Sequence, residues 1–200
     1  MKNLIIIIAI VLFSSCTKII MHANGFKTPR YESAERIQSF AKSNEINEEN
    51  MVLLKDTNEL KQTLRLFSNS PGIIIADSSW NRLNFQNKKE NCSAPVENLL
   101  IYLCDTHSNT VLYNDSNLRI IKSLSHFNNL EFNKINSSYY IFFLWNVPMG
   151  KNLKKIKAWD NILKEHATCN YKTFWINCDY MADWYKVKPG KKIRYQLERK

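Results

Sequence analysis

Cysteine is the residue type whose placement in this chain most directly suggests chemistry. The sequence holds five of them, and no two have the Cys-x-x-Cys spacing of a thiol–disulfide exchange motif. A cysteine can act as a nucleophile, bind a metal, carry a lipid or close a disulfide, so its surroundings decide its role. One cysteine stands alone near the N-terminus and four follow later: Cys16, and then Cys92, Cys104, Cys169 and Cys178.

Cys16 follows a segment that is typical of a secretory signal. The chain begins Met1-Lys2-Asn3, continues with a wholly apolar run over residues 4–13, and reaches small residues at Ser14-Ser15. A positive start, a short apolar stretch and small residues before a cleavage point are the parts of such a signal. The run is too short for a transmembrane helix, which needs roughly 20 apolar residues.

The cysteine directly after Ser14-Ser15 resembles the lipobox cysteine of bacterial lipoproteins, although Phe13 stands where leucine is usual. The resemblance implies that the signal peptide 1–15 is removed and that the Cys16 thiol is acylated with a palmitate-type chain. The protein is then expected in the cell envelope, tethered to a membrane and facing the periplasm. Thr17 follows where aspartate often signals inner-membrane retention, which favours the outer membrane. An ordinary secretory signal is the alternative.

Composition predicts one globular domain after the signal. The full chain is 44% hydrophobic and 12% aromatic with only four glycines, which is not the composition of a disordered protein. Asn24-Gly25 and Pro29 break regular structure, so residues 16–30 are expected to be a tether before a domain at 31–200. The net charge is +10. Export argues against a nucleic-acid partner, so we expect the charge to face anionic lipid or to serve solubility.

With Cys16 assigned to lipid, four cysteines remain for disulfides in an oxidising compartment. Four cysteines allow three pairings, and the sequence does not choose among them. Cys92 and Cys104 bracket a predicted helix, so their direct pairing would require Cys92 to fold back in a loop. Cys169 and Cys178 flank a predicted strand whose ends are too far apart for a disulfide.

Apolar periodicity predicts strands that alternate with helices, which is typical of an α/β sandwich with a mixed, largely parallel central sheet flanked by helices. The strongest pattern is the continuous run at residues 139–145, which suits a central strand covered on both faces. A helix over 151–166 and a strand over 171–177 follow it. The preceding half is predicted to form a helix at 31–44, a strand at 51–54, a helix capped by Asp56-Thr57, a hairpin at 73–86 and helices at 95–104 and 117–127.

Residues 139–151 resemble the start of a thioredoxin fold. In that family a buried strand leads through Trp-Cys-Gly-Pro-Cys into a helix, and here the turn reads Trp145-Asn146-Val147-Pro148-Met149. Ser70-Pro71, followed by the hairpin and a helix, is similar to the cis-proline segment of the same fold. The two parts occur in the reverse of the usual chain order. The resemblance therefore implies a permuted thioredoxin-like domain, or a composite of two half-units at 31–110 and 111–200.

Asn146 and Met149 stand where the family has its two reactive cysteines. Thiol exchange needs a thiolate and a second, resolving thiol, and neither residue can supply one. The resemblance thus implies a binding or accessory module without thiol oxidoreductase activity, and it favours a non-enzyme over an enzyme. One alternative is an oxidoreductase that uses Cys178 or Cys104. The other is a structural protein of the envelope.

No cofactor and no metal are expected. The four histidines have no ligand spacing to one another or to a cysteine pair. Phosphate-binding glycine loops and hydrolase motifs are absent from the sequence. The partners that remain are the membrane, through the N-terminal lipid, and a protein of the envelope.

Overall fold

The computed structural model describes residues 27–68, 70–84, 94–104, 111–113, 118–124 and 137–193. Within these residues the strands are β1 (Tyr31–Glu32), β2 (Met51–Leu53), β3 (Ile73–Asp77), β4 (Arg82–Asn84), β5 (Val111–Tyr113), β6 (Tyr139–Trp145), β7 (Tyr171–Asn177) and β8 (Tyr180–Met181). The helices are α1 (Ala34–Ser43), α2 (Thr57–Phe67), α3 (Ala94–Ile101), α4 (Arg119–Ser123) and α5 (Lys151–His166).

Six strands form one mixed sheet in the order β2-β7-β6-β3-β4-β5, while β1 and β8 pair separately in parallel. The pairs β2–β7 and β7–β6 are parallel, and the three remaining pairs are antiparallel. The prediction of a mixed sheet flanked by helices is confirmed, but the prediction that the sheet is largely parallel is wrong.

The antiparallel pairing of β3 with β4 follows from a short connection. Only residues 78–81 join β3 to β4, and a parallel pair needs a crossover of a dozen residues or more. Asp77 holds this turn because its carboxylate accepts from the Asn81 amide N–H at 2.7 Å and from the Asn81 side chain at 2.9 Å.

Helices cover both faces of the sheet because side chains alternate along each strand. In β3, Ile73 and Ile75 join a core with α1, α3 and α5, whereas Ile74 and Ala76 join a second core with α2 and α4. The run at β6 is buried along both faces, as its continuous apolar sequence predicts. Of the helices that the described residues form, none is both long and apolar enough to span a bilayer.

Local signals place several helix ends. Asp56 caps α2 by accepting from the amide N–H groups of Asn58 and Glu59, as predicted. The helix predicted at 31–44 is shorter than expected: Ser33 caps α1, and the two residues before it form β1. Local sequence propensity does not predict β1, because this strand forms by pairing with β8 near the other end of the chain.

The two halves of the chain contribute to one sheet, since β3 from the first half pairs along its length with β6 from the second. The end of the predicted tether also belongs to the fold. The Ile193 amide donates to the Pro29 carbonyl at 3.1 Å, and Arg30 bridges to Lys192. Residues 1–26, which include the predicted signal, Cys16 and most of the tether, lie outside the described residues.

Candidate functional site

The candidate site lies where β6 and β7 end, at the carboxyl edge of the parallel part of the sheet. Ligand sites in open α/β sheets occur at this edge. Trp145 closes β6 and is fully buried, and Asn177 closes β7 in register with it. The turn after β6 and the turn after β7 are therefore neighbours, although residues 145–149 and 177–179 are distant in sequence.

The turn after β6 is a short helical segment that leads into α5. Asn146 keeps an extended backbone, Val147–Met149 form a 3-10 turn with Pro148 in its first positions, and Gly150 joins this turn to α5. Gly150 has φ 55° and ψ −121°. Residues with a side chain rarely adopt these backbone angles, so glycine allows the chain to change direction here.

Asp179 braces this turn from the neighbouring strand. Its Oδ2 atom accepts from the Val147 amide at 2.9 Å and from the Asn177 side-chain amide at 2.8 Å. Its own amide donates to Asn177 Oδ1 at 3.1 Å, and the Cys178 amide donates to the Trp145 carbonyl at 2.8 Å. The sequence Asn177-Cys178-Asp179 thus fixes the end of β6, and sequence reasoning had valued only its cysteine.

Burial makes Asp179 an unusual carboxylate. Asp179 is only 4% exposed. Desolvation raises the pKa of its carboxyl from 3.8 to about 6, although the hydrogen bonds from Asn177 and Val147 act to lower it. Glu32 on β1 is also buried and raises it further, while Arg36 lowers it. Between pH 4 and 6 the folded chain holds a proton that the unfolded chain releases, so this carboxyl favours folding less as the pH rises.

Glu32 is the second buried carboxyl of this region. Burial raises its pKa, and the nearby charges of Arg36 and Arg30 oppose the rise. Arg36 Nε, four residues further along the chain, lies 3.0 Å from Glu32 Oε2. A signal for this pair existed in the sequence as Glu32 and Arg36 at i, i+4 spacing, but nothing there indicated that the carboxyl would be buried.

The described cysteines do not present an accessible thiolate. Cys104 and Cys169 form a disulfide with a Cα–Cα distance of 5.4 Å, which ties the end of α3 to the loop before β7. Cys178 is free and buried. Burial raises the pKa of its thiol well above the usual value, and the adjacent Asp179 raises it further. Cys92 lies outside the described residues.

The positions of the missing cysteines are half-buried. Asn146, just before the 3-10 turn, and Met149, its last residue, both have intermediate exposure. The Trp145 indole N–H and Asn146 Oδ1 are buried without a hydrogen-bond partner among the described residues. The turn therefore presents polar atoms that bonds within the described chain do not satisfy.

Pro71 lies at the same edge of the sheet. The Gly72 carbonyl accepts from the Leu144 amide at 2.9 Å, and this register continues toward Pro71 beside the end of β6. The candidate cis-proline is nevertheless wrong, because the described residues contain no cis peptide bond. The trans isomer is the preferred one for an X–Pro bond, and Gly72 with φ 97° makes the local change of direction instead.

The N-terminal segment passes directly over the turn. The Lys27 amide donates to the Pro148 carbonyl at 2.9 Å. The chain that comes from Cys16 therefore reaches the domain at the candidate site itself, a contact that sequence reasoning did not anticipate because it placed Lys27 in the tether.

Comparisons of the chain with family models, with curated proteins and with solved structures found no match. Among the described residues there is also no group of three or more histidine, cysteine, aspartate or glutamate side chains that could hold a metal ion.

Proposed function

We propose that this chain is a lipid-anchored, exported protein with a permuted thioredoxin-like architecture that acts as a binding or accessory module of the cell envelope. In this proposal it has no thiol oxidoreductase activity. The observation that carries the proposal is the strand–turn–helix at residues 145–150, where Asn146 and Met149 occupy the positions of the two cysteines in the resembled motif.

The topology supports the thioredoxin-like part of the proposal. The hairpin of β3 and β4 lies antiparallel beside β6, the strand that leads into the Trp-x-x-Pro turn. Pro71, just before β3, lies at the edge where that turn begins. These are the parts that the resemblance names, and they belong to one sheet although their order in the chain is reversed. A permuted single domain explains this better than two independent half-units.

The environment of the thiols supports the absence of exchange chemistry. A nucleophilic cysteine needs a lowered pKa and access to its substrate, whereas Cys178 is buried with a raised pKa. Cys104 is bonded to Cys169. The alternative of an enzyme that uses Cys178 or Cys104 would require the first to be exposed or the second to be released from its disulfide.

Restoring the missing cysteines tests the proposed architecture. In the double variant Asn146→Cys/Met149→Cys the turn would read Trp-Cys-Val-Pro-Cys. We expect it to form an intramolecular disulfide, seen by mass after thiol blocking, and to reduce insulin where the wild-type chain does not. Asn146→Ser/Met149→Ser is the matched control, because it makes the same positions small and polar without thiols.

Two results would contradict the proposal. Cysteines at 146 and 149 that stay reduced in a folded variant would show that the turn does not have the resembled geometry. Insulin reduction by the wild-type protein that is lost in Cys178→Ala would establish the enzyme alternative.

The anchor is tested separately by intact mass. Protein isolated from membranes is expected to lack residues 1–15 and to carry acyl chains on Cys16. Membrane association and an unchanged mature mass in Cys16→Ser would overturn the anchor while leaving the proposed fold and the missing thiol activity unaffected.

A further inference from the structure

The two ends of the described chain are joined in one basic region. The Tyr31 amide donates to the Lys191 carbonyl at 3.0 Å, and the Gly190 amide donates to the Tyr31 carbonyl at 2.7 Å. The segment that comes from the predicted anchor is thus hydrogen-bonded along its last residues to segment 186–193 near the C-terminus.

These paired segments are rich in exposed cations. Within 27–31 and 183–193 the only acidic residue is Asp183. None of the exposed cations lies within ion-pair distance of a described acidic side chain, although the charge of Arg30 acts on Glu32, whereas Arg36 next to them is paired with the buried Glu32. We call the following five the basic cluster: Arg30, Lys186, Lys188, Lys191 and Lys192.

A cleft of about 630 Å³ opens within this region, and its described lining consists of Tyr31, Val187, Lys191 and Lys192. The Tyr31 ring lies 5.0 Å from the Tyr185 ring, centroid to centroid. Two ammonium groups can pair with a phosphate oxygen. Tyrosine rings are favoured at the level of lipid headgroups, where one end of the ring is apolar and the other is hydrated.

We propose that the basic cluster docks on the surface of an anionic membrane and that the cleft accepts a phospholipid headgroup. The proposal rests on the proposed lipid anchor, because the chain outside the structure leads from Lys27 back to Cys16. The chain from Cys16 to Lys27 can span at most about 40 Å when fully extended. The anchor therefore keeps the domain close to the bilayer, and the basic cluster is built on the segment through which the tether arrives.

Charge complementarity determines which side of the domain faces the lipid. Each lysine or arginine near an anionic surface contributes roughly 1 kcal/mol, or about fivefold in partitioning. The attraction acts within about 8 Å at physiological salt. The basic cluster reaches this distance only when its side of the domain faces the bilayer, so docking would fix the orientation of the candidate site as well.

Lysine labelling of the full, membrane-isolated protein tests this orientation. The protein is reconstituted in vesicles of phosphatidylcholine alone, or of phosphatidylcholine with phosphatidylglycerol, and its lysines are acetylated and quantified by mass. We expect labelling of Lys188, Lys191 and Lys192 to be at least about fivefold slower on the anionic vesicles. Lys61 on α2 should label equally on both, and added salt should remove the difference.

A charge variant separates docking from general attraction. Lys191→Gln/Lys192→Gln should abolish the protection of Lys188 on anionic vesicles. Lys61→Gln/Arg65→Gln removes the same charge from the exposed side of α2, and it should leave that protection intact.

Equal labelling on both vesicles, in protein whose mass shows lipid on Cys16, would overturn the proposal but not the anchor. The proposal would also be overturned if soluble glycerol phosphate slowed the acetylation of these lysines on neutral vesicles. The cleft would then be a site for small anions. If Cys16 carries no lipid, the anchor fails. Protection of the basic cluster on anionic vesicles would then still uphold docking, and its absence would overturn it.

Discussion

Removing the disulfide between Cys104 and Cys169 is expected to lower the free energy of unfolding by about 4 kcal/mol. The bond joins residues 65 positions apart. In the chain-entropy description, closing a loop of this length restricts the unfolded chain by about 4 kcal/mol at room temperature. Because whole domains are stable by only about 5–15 kcal/mol, such a loss would leave the fold marginal.

Urea unfolding followed by tryptophan fluorescence measures this effect. With a slope of about 2 kcal/mol per molar, the unfolding midpoint of Cys104→Ala/Cys169→Ala should fall by about 2 M. The fluorescence reports directly on the core, because Trp145, Trp159 and Trp175 are all buried. Reduction of the wild-type protein should lower its midpoint by a similar amount.

Cys92→Ala is the matched control, since it removes one cysteine and leaves the proposed bond intact. Its midpoint should stay near that of the wild-type protein. The reasoning would be refuted if the double alanine variant kept the wild-type midpoint. It would also be refuted if peptide mapping linked Cys104 to Cys92, because the 65-residue separation used in the calculation would then not apply.

The remaining predictions concern single side chains of the described fold. Asp179→Asn keeps an acceptor for Val147 and Asn177 but removes the titration of Asp179. A carboxyl pKa raised from 3.8 to about 6 costs about 3 kcal/mol of stability once the pH exceeds about 6, so the stability of the variant should fall less than that of wild type by this amount between about pH 4 and 7, as urea midpoints can measure. Exposed Asp183→Asn should follow wild type, and the same pH dependence in wild type and Asp179→Asn would contradict the assignment. Gly150→Ala should lower thermal stability by about 1–3 kcal/mol because of its positive φ, and an unchanged melting temperature would mean that the turn has another conformation. Asp56→Ala should cost about 1 kcal/mol by leaving two amide N–H groups at the start of α2 without their cap, which chemical denaturation can measure against exposed Asn58→Ala.

Local sequence determined most of the elements that build the sheet. The continuous apolar run gave β6 its bounds, and helical spacing gave α5 its bounds, because each pattern repeats with the period of its own backbone geometry. The same is true of β7 and of the Asp56 cap. Such signals involve residues a few positions apart, so they can be recognised without knowledge of the tertiary fold.

Contacts between distant segments decided the site. The brace from Asp179 to Val147 joins residues 32 positions apart, and the disulfide joins residues 65 apart. The sequence did not choose among the three pairings, although the predicted strand between Cys169 and Cys178 disfavours a bond between those two. The packing of α3 against α5, which ends three residues before Cys169, brings Cys104 and Cys169 within bonding distance.

Burial was the other quantity that the tertiary structure had to supply. The sequence places Cys178 beside Asp179, which already disfavours its thiolate, but the larger effect on both pKa values is desolvation by the surrounding core. Likewise, Glu32 and Lys191 are both charged residues near a chain end. The fold buries the first against Arg36 and exposes the second at a cleft, because β1 pairs with β8 and joins the two ends of the domain.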